Sequence, residues 1–285
     1  MSKLPIGIFD SGLGGLTVLR ALRQRLPKEN YIYFGDTARA PYGNRSKEEI
    51  IQFNLEIGRW LLDQGCKALV IACNTSTVLG MDSLAETTDL PVIGMREAIL
   101  AGTLSPPGAS TSDLTAFRSA SIGFLATKST VESGVYQKAF AEAAPACVVN
   151  AVACPDFVPL IEQGMTEGPE IERAIDAYLL PLREQEVASL VLGCTHYPFI
   201  APLIAKYFHN KTRVVDPADS LADIVETKLR SEGLLHTDSL ESDARNGTEG
   251  NSQLQFYCSG DEQIFMSIGS RLLAYPIKET GRLIF

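Results

Sequence analysis

Two segments of this chain repeat one pattern, and each delivers a cysteine at the same point. The first is Lys67-Ala68-Leu69-Val70-Ile71-Ala72-Cys73-Asn74-Thr75, and the second is Ala188-Ser189-Leu190-Val191-Leu192-Gly193-Cys194-Thr195-His196. Each is an apolar run closed by a small residue, then Cys, then two side chains able to hydrogen-bond. A short run with β-branched residues suits a strand buried in a parallel sheet. Open α/β sheets bind ligands just beyond the carboxyl ends of such strands. The pattern therefore puts both thiols where ligands sit, on equivalent elements. It suits chemistry that needs two similar groups on opposite sides of one substrate.

The rest of the chain supports that frame. Strand-like runs at 6–9, 31–34, 68–72 and 91–94 alternate with helical periodicity at 16–25 and 47–64. This β-α-β-α order is the mark of a parallel sheet covered by helices. Residues 103–119, with Pro106, Pro107, Gly108 and several Ser and Thr, interrupt it as a loop or linker. The alternation then restarts, with strands at 121–125, 148–153, 190–193 and 213–215 and helices at 130–142, 171–183 and 220–231. The polar stretch 236–253 reads as a surface insertion, and 254–257 and 262–273 form a last strand and helix. Two α/β units are expected, with a change near residue 98.

With 285 residues, 45% of them hydrophobic, the chain can bury a sizeable core. Its formal net charge of −9 argues against a nucleic-acid or anionic-membrane partner, which calls for a basic patch. The apolar runs are strand-sized, far below the ~18–20 residues of a spanning helix. The start, Met1-Ser2-Lys3-Leu4-Pro5, shows no signal-peptide core, so a cytoplasmic location is expected. On that reading the six cysteines are reduced rather than a disulfide framework, and no pair has CxxC spacing.

Four constellations carry possible chemistry. The loop Phe9-Asp10-Ser11-Gly12-Leu13-Gly14-Gly15-Leu16-Thr17 follows a strand and opens a helix. A dinucleotide loop would need Gly where Thr17 stands, Asp10 would repel a pyrophosphate, and the P-loop lysine is absent. Asp10 either contacts an amine, steers a base, or caps the following helix. The loop 35–44 presents Pro41, Tyr42 and Gly43 on a stiff turn. Cys73 and Cys194 have polar followers suited to a ligand face. By contrast Cys66, Cys147, Cys154 and Cys258 read as small buried hydrophobes. His196, one of three histidines, lies two residues past Cys194; a Cys-His hydrolase is conceivable from that pair, and a metal site from the two Cys and this His, with no fourth ligand signalled. Glu162 either opens a helix and faces the cleft or is a solvated surface acid.

Taken together, these segments resemble the glutamate racemases of the cofactor-independent aspartate/glutamate racemase family. The matching stretches are 6–17 (IGIFDSGLGGLT), 33–44 (YFGDTARAPYGN), 73–75 (CNT), 91–94 (PVIG), 154–162 (CPDFVPLIE) and 192–198 (LGCTHYP). The FDSG and GDTARxPYG motifs favour the glutamate branch over the aspartate one. Ser76 stands where the family tends to have Ala, and Gly94-Met95-Arg96-Glu97-Ala98-Ile99 replaces a GVIEPG-like segment.

The resemblance implies two similar α/β domains with parallel sheets and an active site in the cleft between them. The expected division is 1–98 plus 213–285, carrying Cys73, and 99–212, carrying Cys194. It implies that Cys73 and Cys194 are the two acid/base thiols, with Asp10 supporting Cys73, and Glu162 and His196 supporting Cys194. It implies substrate contacts from Asp10, Ser11, Pro41, Tyr42, Gly43, Asn74, Thr75, Thr195 and His196. No cofactor and no metal are expected. The implied partner is the small molecule glutamate, in a homodimeric enzyme that supplies D-glutamate for peptidoglycan. Aspartate racemisation, or a non-catalytic glutamate-binding relative, are the alternatives.

Overall fold

The computed structural model describes residues 3–105, 120–236 and 252–285. Its strands form two sheets in which every pairing is parallel. The first contains β1 (Ile6–Asp10), β2 (Tyr31–Gly35), β3 (Ala68–Ile71), β4 (Val92–Ile93), β9 (Leu254–Cys258) and β10 (Gly281–Arg282), in the order β10-β9-β2-β1-β3-β4. The second contains β5 (Ser121–Ala126), β6 (Val148–Ala153), β7 (Ser189–Gly193) and β8 (Arg213–Val215), in the order β6-β5-β7-β8.

The central strands are apolar on both faces because helices cover both. In β3, Ala68 and Val70 enter one core with α1 (Leu16–Arg25), α10 (Ala218–Ser231) and α11 (Glu262–Leu273). Leu69 and Ile71 enter the opposite core with α2 (Lys47–Asp63) and α3 (Asn74–Ala85). The period-2 pleat produces this split. In β7, Leu190 and Leu192 likewise pack with α7 (Phe157–Glu162), α8 (Pro169–Glu184) and α9 (Ala201–Tyr207), while Val191 faces the other way. The start of α2 is fixed by a capping box, with Ser46 Oγ accepting from the Glu49 amide and the Glu49 carboxylate accepting from the Ser46 amide.

The chain crosses between the sheets twice. The helix α4 (Met95–Leu104) gives Met95 and Ala98 to the first core and Ile99 and Leu104 to the second. The return lies between β8 and α10, whose Leu221, Ala222, Val225 and Leu229 pack on the first core. Arg213 ties the crossings together by donating to the carbonyls of Gly102 (3.2 Å) and Thr103 (2.6 Å) at the end of α4. The expected restart of the first unit at residue 213 therefore falls too early, since Arg213–Val215 pairs with β7 in the second sheet. We propose the division 1–98 with 216–285, and 99–215.

Three further expectations need correction. The helix expected over 130–142 is two helices, α5 (Lys128–Glu132) and α6 (Val135–Ala143), because Gly134 takes a left-handed φ of 65° between them. Glu162 ends α7 rather than opening a helix. Within the expected linker 103–119, Thr103 and Leu104 still belong to α4 and 106–119 lie outside the described residues. Most of the expected insertion 236–253 lies outside them too. Among the described residues, no helix is long and apolar enough to cross a membrane.

Candidate active site

The site forms where the carboxyl ends of β1, β3, β5 and β7 converge. Ser11, Pro41, Tyr42, Gly43, Cys73, Asn74, Thr75, Cys194, Thr195 and His196 line one cavity, together with Thr127, Val158 and Gly193. Both matched thiols are thus on one wall-to-wall space, Cys73 beyond β3 of the first sheet and Cys194 beyond β7 of the second. The cavity leaves only about 20 Å³ for the centre of a water-sized sphere, room for about one water. That is too little room for an amino acid, so the lining must move to admit one.

Cys73 is the N-cap of α3, and its Sγ accepts from the Ser76 amide at 3.5 Å. A helix N-terminus favours thiolate, but burial outweighs it here. Burial first, and then the Asp10 carboxylate, push the Cys73 thiol up to about 12. Cys73 therefore rests as a neutral thiol.

Cys194 has a different environment. Its Sγ lies 3.8 Å from His196 Nδ1, and His196 Nε2 lies 3.0 Å from Glu162 Oε1. Burial disfavours charge on His196, but hydrogen bonds and charge from Cys194 and Glu162 outweigh it and raise its pKa well above the ordinary value. The buried imidazole is thus held as a cation between the thiol and a carboxylate, where it can balance negative charge on sulfur.

Asp10 and Glu162 stand one residue behind the cavity surface rather than on it. Asp10 is fully buried; it accepts from the Gly12 amide and from Thr195 Oγ1, both at 3.1 Å. Burial raises its pKa, opposed by His196 and by the amides of Gly15 and Gly12. It does not cap α1, whose N-cap is Gly15 without a side-chain bond. Its bond to Thr195 instead joins the two halves. The Tyr42 phenol, expected to be presented by the stiff turn, donates to the buried Asp36 carboxylate, while Tyr42 lines the cavity. Asp36 also receives Arg39 Nε and Ser259 Oγ, both at 2.6 Å, so the loop carrying Pro41, Tyr42 and Gly43 is anchored from beneath. The Ala40–Pro41 peptide is cis.

The glycines of the first loop have a packing role. A Cβ on Gly12 would lie 2.6 Å from Glu162 Oε1, and one on Gly14 would lie 2.5 Å from His196 Nδ1. Gly12 and Gly14 are small because Glu162 and the Thr195–His196 segment of the other half press on them, and Gly15 because Asp10, Tyr33 and Ala72 of its own half do.

Several participants escaped the sequence reading. Thr75 Oγ1 lies 2.9 Å from Thr127 Oγ1 and 3.1 Å from Thr130 Oγ1, a cluster of three hydroxyls spanning the halves. The Tyr136 phenol donates to Asn74 Oδ1 at 2.6 Å. Thr127 directly follows β5, so the rule that ligands sit beyond strand ends was a signal for it. Tyr136 offered no local signal. Among the described residues no group of three or more His, Cys, Asp or Glu could hold a metal ion.

The family described as Asp/Glu/hydantoin racemase matches residues 14–225. The glutamate racemase of Carboxydothermus hydrogenoformans is 40% identical over 282 residues, covering 99% of this chain and 97% of that protein. The glutamate racemase of Neisseria meningitidis serogroup C is 41% identical over 276 residues, 96% of this chain and 94% of that one. Among solved structures, a Francisella tularensis glutamate racemase in complex with D-glutamate superposes with a TM-score of 0.85 at 31% identity, covering 99% of this chain and 98% of that one. With relatives and fold in agreement over nearly its whole length and the family matching residues 14–225, this chain belongs to the Asp/Glu/hydantoin racemase family, on its glutamate racemase branch, whose members are amino-acid isomerases.

Proposed function

We propose that this protein interconverts L- and D-glutamate without a cofactor, using Cys73 and Cys194 as one base and one acid on opposite faces of Cα. The observation that carries this reading is the pair of thiols on one cavity, each beyond the end of a strand in a different sheet. Racemisation removes the Cα proton from one face and returns one to the other. In this reading Cys73 takes the proton from D-glutamate while Cys194 donates, and the roles reverse for L-glutamate.

The surroundings of the two thiols differ. Cys73 rests as thiol, held neutral by burial and by Asp10. The His196 cation, backed by Glu162, lies beside Cys194, where it can balance negative charge on sulfur while Cys194 acts as the base for L-glutamate. Closure of the halves excludes water, and fixed amides and hydroxyls then meet the charge developing beyond Cα. The product D-glutamate would serve peptidoglycan synthesis in the cytoplasm.

The test is Cα deuterium uptake and loss of optical rotation for L-glutamate in D₂O, with metal-free and cofactor-free protein. Uptake coupled to racemisation is expected. Folded, reduced protein that exchanges nothing with glutamate but racemises aspartate would replace the substrate, and exchange with neither would leave a non-catalytic relative.

The state of His196 has its own signature. A group with a raised folded-state pKa stabilises fully below its unfolded value, near 6.5, and loses that stability as pH climbs through the folded value. Wild-type protein should therefore lose melting temperature relative to His196→Gln as pH rises above about 6.5. A melting difference independent of pH would mean that the folded protein holds no extra proton at this site.

A further inference from the structure

Asn74 carries an unresolved choice that its neighbour settles. Its carboxamide has one acceptor and one donor end, and the residue is buried on the cavity wall beside Cys73. Oδ1 accepts from the Tyr136 phenol at 2.6 Å, while Nδ2 is buried with no hydrogen-bond partner. A buried amide nitrogen left unpaired is costly and calls for an explanation. A substrate carboxylate in the cavity would supply the missing acceptor.

Tyr136 is what makes that end the donor. It is fully buried, with its ring on Phe124 at 4.8 Å between centroids. Turning the amide over would leave the phenol proton without its acceptor in a dry site and would aim Oδ1 at an incoming carboxylate. The bond also crosses the cleft: Tyr136 belongs to α6, packed in a core of the second sheet, and Asn74 begins α3 of the first. The amide is therefore locked only while the halves are together.

We infer that Tyr136 is a positioning residue that holds the Asn74 carboxamide with its NH₂ toward the cavity, ready to receive a carboxylate of the substrate as the cleft closes. This role rests on the reading of the cleft as an amino-acid site.

The test is Tyr136→Phe, which keeps the ring packing and removes only the hydroxyl. KM for both enantiomers of glutamate should rise about 10-fold or more, the scale of a hydrogen bond to a charged group. kcat should change less, and the melting temperature should stay near the wild-type value. A merely structural role would lower the melting temperature without raising KM. In an Asn74→Ala background the same substitution should add no further rise in KM. Calorimetric titration with D-glutamate reads the role without turnover, and Kd should rise by a similar factor. Unchanged KM and Kd in Tyr136→Phe would overturn the inference while a racemising wild type left the site reading intact. An undiminished effect in the Asn74→Ala background would also overturn it. A wild type that neither binds nor racemises glutamate would remove the site reading and this role together.

Discussion

Alanine at position 73 or position 194 should lower kcat/KM for racemisation by at least about 10²–10⁴-fold, the contribution of a positioned acid or base. The loss should be the same in both directions. L- and D-glutamate are mirror images of equal free energy, so the equilibrium constant is unity and the two kcat/KM values must stay equal in every variant. Removing one thiol cannot spare one direction. Each thiol is the base for one enantiomer and the acid for the other, and its loss breaks one half-step of every turnover. The remaining thiol still faces the Cα proton of one enantiomer. Each variant should therefore retain more Cα exchange with D₂O, in one enantiomer, than net racemisation. Cys66→Ala and Cys258→Ala supply the control. Cys66 packs in the core beneath the first sheet and Cys258 in the core behind it, away from the cavity lining. Both should keep wild-type kcat/KM when folded. Near-normal racemisation by Cys73→Ala or Cys194→Ala would sink the two-thiol mechanism.

The sheets were legible because their central strands are short, apolar and bounded by turn residues, and a strand buried on both faces leaves that trace in any context. The thiols were legible for the same reason, since each directly follows such a strand. The three residues of β8 were a different case. They read as a strand, but nothing in Arg213-Val214-Val215 says which sheet they join; that is decided by the neighbour Ser189–Val191. The break at Gly134 was hidden because apolar periodicity continues through both α5 and α6. The cross-cleft partners were beyond local reading altogether. Thr75 meets Thr127, and Asn74 meets Tyr136, across more than fifty residues of chain. Only the approach of the two halves creates those bonds. The glycine loop shows the same limit from the other side. Its spacing is close to that of a phosphate loop, whereas Gly12 and Gly14 answer to a carboxylate, a hydroxyl and an imidazole of the other half, and Gly15 to Asp10, Tyr33 and Ala72 of its own.

That closeness makes Gly14→Ala a damaging change outside the thiols. Gly14 has no left-handed φ, so alanine fits the backbone there and the effect is confined to the contact. The added Cβ would press first on Thr195 Oγ1, and would lie 2.5 Å from His196 Nδ1 and 2.8 Å from its Cε1. Non-bonded carbon atoms settle near 3.5–4.0 Å, so about 1 Å must be found by movement. The imidazole cannot swing clear, because it is buried and held between Cys194 Sγ and Glu162. Either the ring tilts away from the thiol or the halves stay apart, and both outcomes misplace Cys194 and its charge partner. A displacement of that size is worth about 10²-fold in rate. We expect a fall of at least that order in kcat/KM, with the two sheet cores intact and circular dichroism unchanged. Gly12→Ala sharpens the comparison. Its Cβ would meet Glu162 Oε1 at 2.6 Å, but that side chain is 28% exposed and can swing outward. The loss there should be smaller than at Gly14. Equal losses would mean that the loop backbone, not the Thr195 and His196 contacts, limits closure, and full activity in Gly14→Ala would mean that turnover never brings the halves this close.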